Sequence, residues 1–174
     1  MIIRIIKGIL PYIVIALLII GYFSIFGVPV DEVPDEYNGD LQELLEKDHF
    51  AAKRNMGDFY FVGTSGVPQS YENALECYIS SANHGDDYAQ YMAGRCFMEG
   101  KGVPQNYNEG MRWLLRSAEA GNVYAQTYLG RCYELGIEEI APDREKAVQM
   151  YRSAASSGYD EAAKALSLMG ETID

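Results

Sequence analysis

The sequence predicts an all-α protein: an α-solenoid of about three helix-turn-helix repeats with a half-repeat at each end, preceded by one transmembrane helix. Two observations predict this architecture. A segment of about 36 residues recurs along the chain, and a long uncharged apolar run fills the N-terminus. Repeats of this length are typical of stacked helical hairpins, because a single hairpin cannot bury its apolar face alone.

Three units share one frame of small residues, with repeat 1 at 50–86, repeat 2 at 87–122 and repeat 3 at 123–158. Each unit has one glycine inside its first predicted helix, one at the end of that helix and one at the end of the unit. In this order the three columns are Gly57, Gly94 and Gly130; Gly63, Gly100 and Gly136; and Gly85, Gly121 and Gly158. The first column predicts the close approach of a neighbouring backbone, and the second predicts left-handed helix ends.

Apolar residues within each unit recur with the period of an α-helix. In repeat 2, Ala89, Ala93 and Cys96 share one face of the first helix, and Trp113 and Leu114 share one face of the second. Gly-Val-Pro-Gln separates the two helices of repeats 1 and 2, and this is turn chemistry. Repeat 3 has Glu-Ile-Ala-Pro instead, which predicts a different turn.

The pattern resembles the Sel-one-like repeat family, short-hairpin relatives of the tetratricopeptide repeats. The residues that carry the resemblance are AQYMAGRCFMEGKGVPQNYNEGMRWLLRSAEAG in repeat 2, and AQTYLGRCYELG followed by REKAVQMYRSAASSG in repeat 3. Repeat 1 departs from the pattern at Lys53 and Asp58, where the other repeats have Gln and Arg, and its turn has one extra residue. The resemblance implies first helices that line a concave surface, and a role in binding other proteins.

Incomplete units are expected at both ends, because the end units of a solenoid shield its open faces. An N-terminal cap helix is predicted over residues 40–49, behind an acidic linker at 31–39, and a C-terminal cap helix and tail over 159–174. The residues that predict these caps are Leu41, Leu44 and Leu45 at one end and Ala162, Leu166 and Met169 at the other.

Residues 1–30 predict a transmembrane anchor. From Gly8 to Val30 there are 23 residues without a charge, and as a helix they would reach roughly 34 Å, enough for a bilayer core of about 30 Å. Arg4 and Lys7 precede this run. They predict a cytoplasmic N-terminus and a repeat domain on the periplasmic or extracytoplasmic side of the inner membrane. The alternatives are a cleaved signal peptide, whose apolar run is usually shorter, and a buried core helix.

The overall charge limits the class of partner. The chain carries a formal charge of −11, and residues 1–30 contribute +2, so the remainder carries −13. Nucleic-acid binding requires a basic surface and is not expected, and the domain should not lie flat on anionic lipid. A basic protein partner would be steered toward this charge, although acidic proteins also use charge simply for solubility.

The sequence contains no catalytic, cofactor-binding or metal-binding motif. Neither Gly-x-Ser-x-Gly, a phosphate-binding Gly-Lys-Ser/Thr nor His-Glu-x-x-His occurs. His49 and His84 are expected to be solvated residues at turns that close second helices. We therefore predict a protein that is not an enzyme and has no cofactor, metal or small-molecule substrate.

Three cysteines raise the question of a disulfide. Cys96 and Cys132 occupy the same slot in adjacent repeats, which places them too far apart to bond. A Cys77–Cys96 bridge is conceivable, because Cys77 faces the next hairpin. The alternative interpretation is three small buried residues.

The candidate binding residues lie on the first helices, opposite the apolar stripe. They recur with spacings of 3, 4 and 3 as Ala51, Arg54, Asp58 and Phe61; Tyr88, Tyr91, Arg95 and Met98; and Tyr124, Thr127, Arg131 and Glu134. Tyrosine and arginine are enriched at interface hot spots, so the predicted partner-binding residues are Tyr88, Tyr91, Arg95, Tyr124 and Arg131. The tyrosines could instead be half-buried packing residues, and the arginines ordinary surface counter-charges.

The leading functional prediction is a non-enzymatic, inner-membrane-tethered adaptor or scaffold whose exported repeats bind a protein. The alternative comes from the resemblance, because some bacterial Sel-one-like proteins are small envelope antidotes to secreted toxins, including lipid-cleaving effectors. On that hypothesis the chain is an immunity protein that blocks the active site of a toxin such as a lipase effector.

Overall fold

The computed structural model describes residues 35–63, 66–137 and 140–173, with side chains from residue 49 onwards. These residues form seven α-helices, which are α1 (Asp35–Val62), α2 (Tyr71–Ala82), α3 (Asp87–Glu99), α4 (Tyr107–Glu119), α5 (Val123–Leu135), α6 (Arg144–Ser156) and α7 (Asp160–Leu168). None of them is long and apolar enough to cross a bilayer. The predicted anchor at residues 1–30 lies outside the described residues.

The helices stack in sequence order, as the repeat predicts. From α2 onwards each helix packs against the next one along the chain. The buried residues form three clusters along the stack, which are centred on α2 with α3, on α4 with α5, and on α6 with α7. The helical repeat stack is confirmed, and α7 closes its C-terminal end by burying Ala162 and Leu166.

The glycines at the ends of the first helices all have a positive φ; Gly100 has the predicted left-handed helical conformation, whereas Gly136, with a ψ of 156°, does not. The φ angle is +78° at Gly63, +66° at Gly100 and +69° at Gly136. Since a side chain is rarely tolerated at such angles, these positions select glycine and fix where each first helix ends. The repeat 3 turn differs from that of repeat 2, because Ile137 and Ile140 pair through an isolated antiparallel β-bridge, whereas residues 101–106 of repeat 2 form none.

The glycines inside the first helices face side chains more than backbone. A Cβ atom at Gly57 would lie 2.8 Å from the Tyr78 ring, and one at Gly130 would lie 2.7 Å from the Tyr151 ring. Backbone approaches closely only in repeat 2, where a Cβ at Gly94 would lie 3.1 Å from the Gly110 carbonyl oxygen. The predicted backbone contact is therefore correct for one repeat, and an aromatic ring replaces it in the other two.

A serine hydrogen bond connects the two helices of repeat 1 and of repeat 2. The Ser81 hydroxyl donates to the Phe50 carbonyl at 3.0 Å, and Ser117 donates to the Asp87 carbonyl at 2.6 Å. Repeat 3 has an alanine in the serine slot, and there the Thr127 hydroxyl donates to the equivalent carbonyl, that of Val123, at 2.7 Å. Thr127 is buried by this role, so its predicted exposure is wrong.

The N-terminal end differs from the expectation of a linker, a separate cap helix and a new helix at repeat 1. A single helix runs from Asp35 to Val62 through the boundary predicted at residue 49. The physical reason is that neither glycine nor proline occurs between Asp40 and Met56, so nothing in the sequence stops the helix. His49 therefore lies within a helix and not at a turn, whereas His84 does lie after the end of α2 and stacks on Phe50.

All three cysteines are free thiols, so the conceivable Cys77–Cys96 bridge is not formed. Cys96 and Cys132 are buried, as the packing interpretation expects, but Cys77 is only half-buried. Burial raises the pKa of Cys96 and of Cys132 to about 11. Both thiols are therefore protonated at neutral pH and are poor nucleophiles.

Candidate partner-binding site

Five tyrosines form one connected cluster on the first helices of the stack. The tyrosine cluster consists of Tyr88, Tyr91, Tyr124, Tyr128 and Tyr159. The ring of Tyr124 is its hub, because its centroid lies 6.3 Å from that of Tyr88, 5.8 Å from that of Tyr91 and 5.4 Å from that of Tyr159. Tyr128 joins through Tyr91, with a centroid distance of 6.4 Å. The cluster thus spans α3, α5 and the residue before α7.

The structure brings the predicted binding residues onto one surface. Tyr88, Tyr91 and Tyr124 are mutual neighbours, and the Arg95 guanidinium lies 5.6 Å from the centroid of the Tyr91 ring. Arg131 lines the same cavity as Tyr91 and Arg95. Their role in binding a partner stays a prediction, but their arrangement as one patch is a property of the fold.

The patch is exposed unevenly. Tyr124 is 45% exposed and Arg131 is exposed, whereas Tyr88, Tyr91 and Arg95 are half-buried. Met98, grouped with them by its spacing, is buried and packs between α3 and α4, where its side chain occupies the space beside Gly110. Tyr124 and Arg131 are therefore the most exposed of the five predicted residues.

Arg95 is held in place by its neighbours. Its Nε donates to the Glu99 carboxylate at 3.1 Å, and Lys101 Nζ lies 2.7 Å from the same carboxylate. Its guanidinium also lies 5.9 Å from the Phe61 ring in α1. Burial opposes the charge of Arg95, but Tyr91 and Glu99 outweigh this and raise its pKa. Arg95 is therefore a counter-charge to Glu99, as the alternative interpretation proposed, and it is also half-buried against aromatic rings.

A groove of about 510 Å³ lies beside the tyrosine cluster, between α3 and α5. Its lining residues are Tyr91, Arg95 and Glu99 from α3, Tyr128, Arg131, Cys132 and Leu135 from α5, and Ile137 from the turn that follows. Leu135 is 71% exposed. The groove therefore combines aromatic faces, an accessible aliphatic side chain and two guanidinium groups, which are the chemical types found at the centres of protein interfaces.

The hydroxyls of Tyr88, Tyr91, Tyr128 and Tyr159 have raised pKa values and are neutral at physiological pH. Burial raises the pKa of Tyr88 and Tyr91, and it raises that of Tyr128 to about 12. Tyr159 donates a hydrogen bond to Glu161 at 2.8 Å, and this bond is the main reason that its pKa rises to about 12. These groups can donate hydrogen bonds but cannot serve as general bases near neutral pH.

Three residues of the site were not predicted from the sequence, namely Tyr128, Tyr159 and Glu99. Tyr128 is four residues after Tyr124, so the helical period that links neighbouring turns could have found it. Tyr159 belongs to the C-terminal cap, and only the stacking of α7 on α6 brings it to Tyr124. Glu99 follows Arg95 by four residues, a spacing typical of helical ion pairs.

The described residues contain no group of three or more His, Cys, Asp or Glu side chains able to hold a metal ion. The two buried cysteines are kept protonated, and His49 and His84 are both exposed. Within the described part of the chain, the arrangement therefore offers contact surface and hydrogen-bond donors and no catalytic constellation.

Residues 51–86, 87–122 and 123–159 each match the family model described as the Sel1 repeat. The chain belongs to the Sel1 repeat family. The Sel1 repeat is the family that the sequence pattern resembles, and its members are in general protein-interaction modules. The matched boundaries differ by one residue from those predicted for repeats 1 and 3, and repeat 2 is matched at the predicted residues.

Two crystal structures are similar to this Sel1 repeat chain. One is a protective antigen present in uropathogenic Escherichia coli strains that displays an SLR fold; it is 29% identical, with a TM-score of 0.66, over 69% of this chain and 26% of its own. The other is a Sel1 repeat protein from Oxalobacter formigenes, 28% identical with a TM-score of 0.64 over 74% of this chain and 52% of its own. The chain thus spans about a quarter of one and half of the other. The search of the curated proteins found no match.

Proposed function

We propose that this protein is a non-enzymatic interaction module that binds another protein through the tyrosine cluster and the adjoining groove. The observation that carries the proposal is the composition of this surface. Five aromatic rings, two arginines and the exposed Leu135 adjoin one another on consecutive first helices. Tyr rings bury a large area at a small cost in side-chain entropy, and arginine adds directed hydrogen bonds, so such surfaces concentrate binding energy.

We further propose that the repeats are tethered to the inner membrane on its extracytoplasmic side. Support for this comes from the uncharged run between Gly8 and Val30 and from the two cations that precede it. A reporter enzyme that works only outside the cytoplasm, fused after Asp174, should be active, and the full-length chain should stay with membranes in high salt. A soluble exported product shortened by about 27 residues would instead support a cleaved signal peptide.

Site-directed photocrosslinking in the native cells tests the binding surface. A photoreactive phenylalanine analogue replaces Tyr124 in the full chain, and in a second variant it replaces Leu115 on α4, which is 37% exposed. Position 124 should crosslink to one defined protein, whereas position 115 should not. Crosslinking at position 115 alone would show that the partner binds the second helices, and the proposed site would be wrong.

A double substitution measures how much the surface contributes to binding of the partner. Tyr124→Ala with Arg131→Ala should reduce crosslinking from a probe at Tyr159 by about tenfold or more, since truncation of hot-spot residues typically costs 2 kcal/mol or more. The melting temperature should change little, because both side chains are exposed. Glu109→Ala with Glu145→Ala, near the starts of the second helices, is the matched control and should leave crosslinking unchanged.

The identity of the crosslinked protein separates the adaptor from the immunity protein. An envelope or signalling protein made by the same cell supports the adaptor, whereas a secreted toxin or lipase supports the immunity function. Both functions use the same surface, so this outcome distinguishes the biological role and not the binding site.

A further inference from the structure

The groove between α3 and α5 holds an arginine, Arg131, that forms no ion pair with any residue that the structure describes. Arg131 is exposed, and among the residues that the structure describes it has neither a salt bridge nor a hydrogen-bonding carboxylate. Arg95, its equivalent one repeat earlier, is paired with Glu99 at 3.1 Å. Arginine thus occupies the same position in both repeats. In repeat 2 it has a carboxylate partner, whereas in repeat 3 it has none among the described residues.

The described residues that line the groove carry a small positive charge, in contrast to the acidic chain as a whole. Their charged side chains are Arg95, Glu99 and Arg131, which are two cations and one carboxylate. Glu99 is also paired with Lys101 at 2.7 Å. Glu134, three residues after Arg131, accepts a hydrogen bond from Tyr151 at 2.7 Å and is not among the described lining residues.

We propose that this groove binds an acidic side chain of the partner protein, an Asp or Glu with an apolar residue beside it in an extended segment. The inference rests on the proposed function and deepens it by naming the chemistry of the bound segment. Arg131 would pair with the carboxylate, and the adjacent apolar side chain would cover Leu135 and Ile137. A guanidinium presents parallel N–H donors that match the two oxygens of one carboxylate.

The neighbours of Arg131 strengthen such a pair. Cys132 is protonated, since burial raises its pKa to about 11, so it adds no negative charge beside the arginine. Tyr128 is also neutral and lines the groove from the same helix. A bound segment that covers Tyr128 and Leu135, which line the same groove, would exclude water from the pair and make it stronger than one on an open surface.

The overall negative charge does not conflict with an acidic contact. Long-range steering depends on the summed charge of both proteins, whereas the contact depends on groups within a few ångströms. A partner that is basic overall can therefore be steered by the acidic domain and still place one carboxylate against Arg131.

A peptide array tests the inference directly. The probes are immobilised eight-residue peptides with a central Glu flanked by Leu or Phe, and twin sets with Gln, Lys or phosphoserine in place of the Glu. The full-length chain, in non-ionic detergent micelles, should be retained by the Glu peptides about tenfold more than by their Gln twins. Stronger retention by phosphoserine than by Glu would overturn the choice of a carboxylate.

Charge reversal provides the sharper result. Arg131→Glu should abolish the preference for Glu and create one for Lys, and Arg131→Gln should remove the preference altogether. Arg112→Glu is the matched control, because Arg112 is exposed on α4 and should leave the preference unchanged. Equal binding of Glu and Gln peptides by the parent chain, or an unchanged Glu preference in Arg131→Glu, would overturn the inference.

The experiments distinguish failure of the acidic-segment inference from failure of the proposed binding surface. If the partner still crosslinks at position 124 in the Arg131→Glu chain, the surface binds a protein but not through an acidic side chain. If position 124 yields no crosslink in the parent chain, the surface itself is wrong.

Discussion

Repeat 1 and repeat 2 share one residue frame, yet they bury different parts of it. In the first helix of repeat 2, Ala93 and Cys96 are both completely buried. The equivalent residues of repeat 1 are Met56 and Phe59, which are 43% and 49% exposed although they are larger and more apolar. The difference shows that the position of a hairpin in the stack, and not its composition, decides whether this stripe becomes core.

The turns of repeats 1 and 2 also differ in how closely a neighbouring hairpin packs against them. Gly102 in repeat 2 packs directly on the backbone of Tyr71 and Glu72, at the start of α2, and an added Cβ would collide with the Tyr71 carbonyl. Gly66 occupies the equivalent turn of repeat 1, and a Cβ there would meet no atom within 4 Å. The turn of repeat 2 therefore contacts the hairpin before it, whereas Gly66 in the turn of repeat 1 has no such neighbour among the described residues.

Placing a charge on the apolar face of the first helix should have the largest effect on the free energy of unfolding. Ala93→Asp would bury a carboxylate among apolar side chains, a change whose cost exceeds about 4 kcal/mol, and should unfold the repeats at room temperature. Met56→Asp, in the equivalent slot, should cost less than about 1 kcal/mol. The single tryptophan, Trp113, is buried in repeat 2, so its fluorescence during urea unfolding of the full chain in micelles reports both variants. Equal destabilisation would mean that repeat 1 is covered at this face.

Substitution of the turn glycines should have an intermediate effect. Gly102→Ala combines a positive φ of +75° with the collision at Tyr71 and should cost about 3 kcal/mol. Gly66→Ala has neither penalty and should stay within about 0.5 kcal/mol of the parent. The urea midpoint of each variant gives the comparison, and a neutral Gly102→Ala would show that the repeats do not pack as described.

Alkaline pH should have the smallest effect on stability. The effect should come from repeats 1 and 3, which have a tyrosine–carboxylate hydrogen bond that repeat 2 does not. The Tyr78 hydroxyl donates to Asp58 and the Tyr151 hydroxyl to Glu134, each at 2.7 Å, whereas repeat 2 has Leu114 in this slot. Burial, followed by the carboxylate hydrogen bond, raises the pKa of both tyrosines above the unfolded value of about 10. Their contribution to stability is therefore complete below pH 10 and is lost as the pH rises above it.

The variant Tyr78→Phe tests this pH dependence. The urea midpoint of the parent should fall between pH 10 and 12, and it should fall less steeply in Tyr78→Phe because one ionising group is gone. Tyr124→Phe, which alters an exposed ring, is the control and should follow the parent. Parallel curves for all three proteins would show that Tyr78 does not couple ionisation to folding.

Much of the candidate site could be read from the helical period. The spacing of Tyr88, Tyr91 and Arg95 on one helix places them on one face, and the repeat places Tyr124 and Arg131 on the next. The same spacing also selected Met98 and Thr127, which are buried. The period identifies a face of a helix but not how far the neighbouring helix covers it, and that coverage excluded these two residues.

By itself, the sequence determined the number of hairpins, the first-helix ends at Gly63, Gly100 and Gly136, and the order of stacking. These features follow from local rules, since a glycine at positive φ and an apolar period act within one or two turns. Only the tertiary structure decided that α1 runs through the predicted cap and that a ring and not backbone fills the space at Gly57. It also decided that Arg95 is paired while Arg131 has no ion pair with the described residues. Those outcomes depend on which side chain of a neighbouring helix reaches each position. Packing between the helices decides this, and the sequence pattern does not contain it.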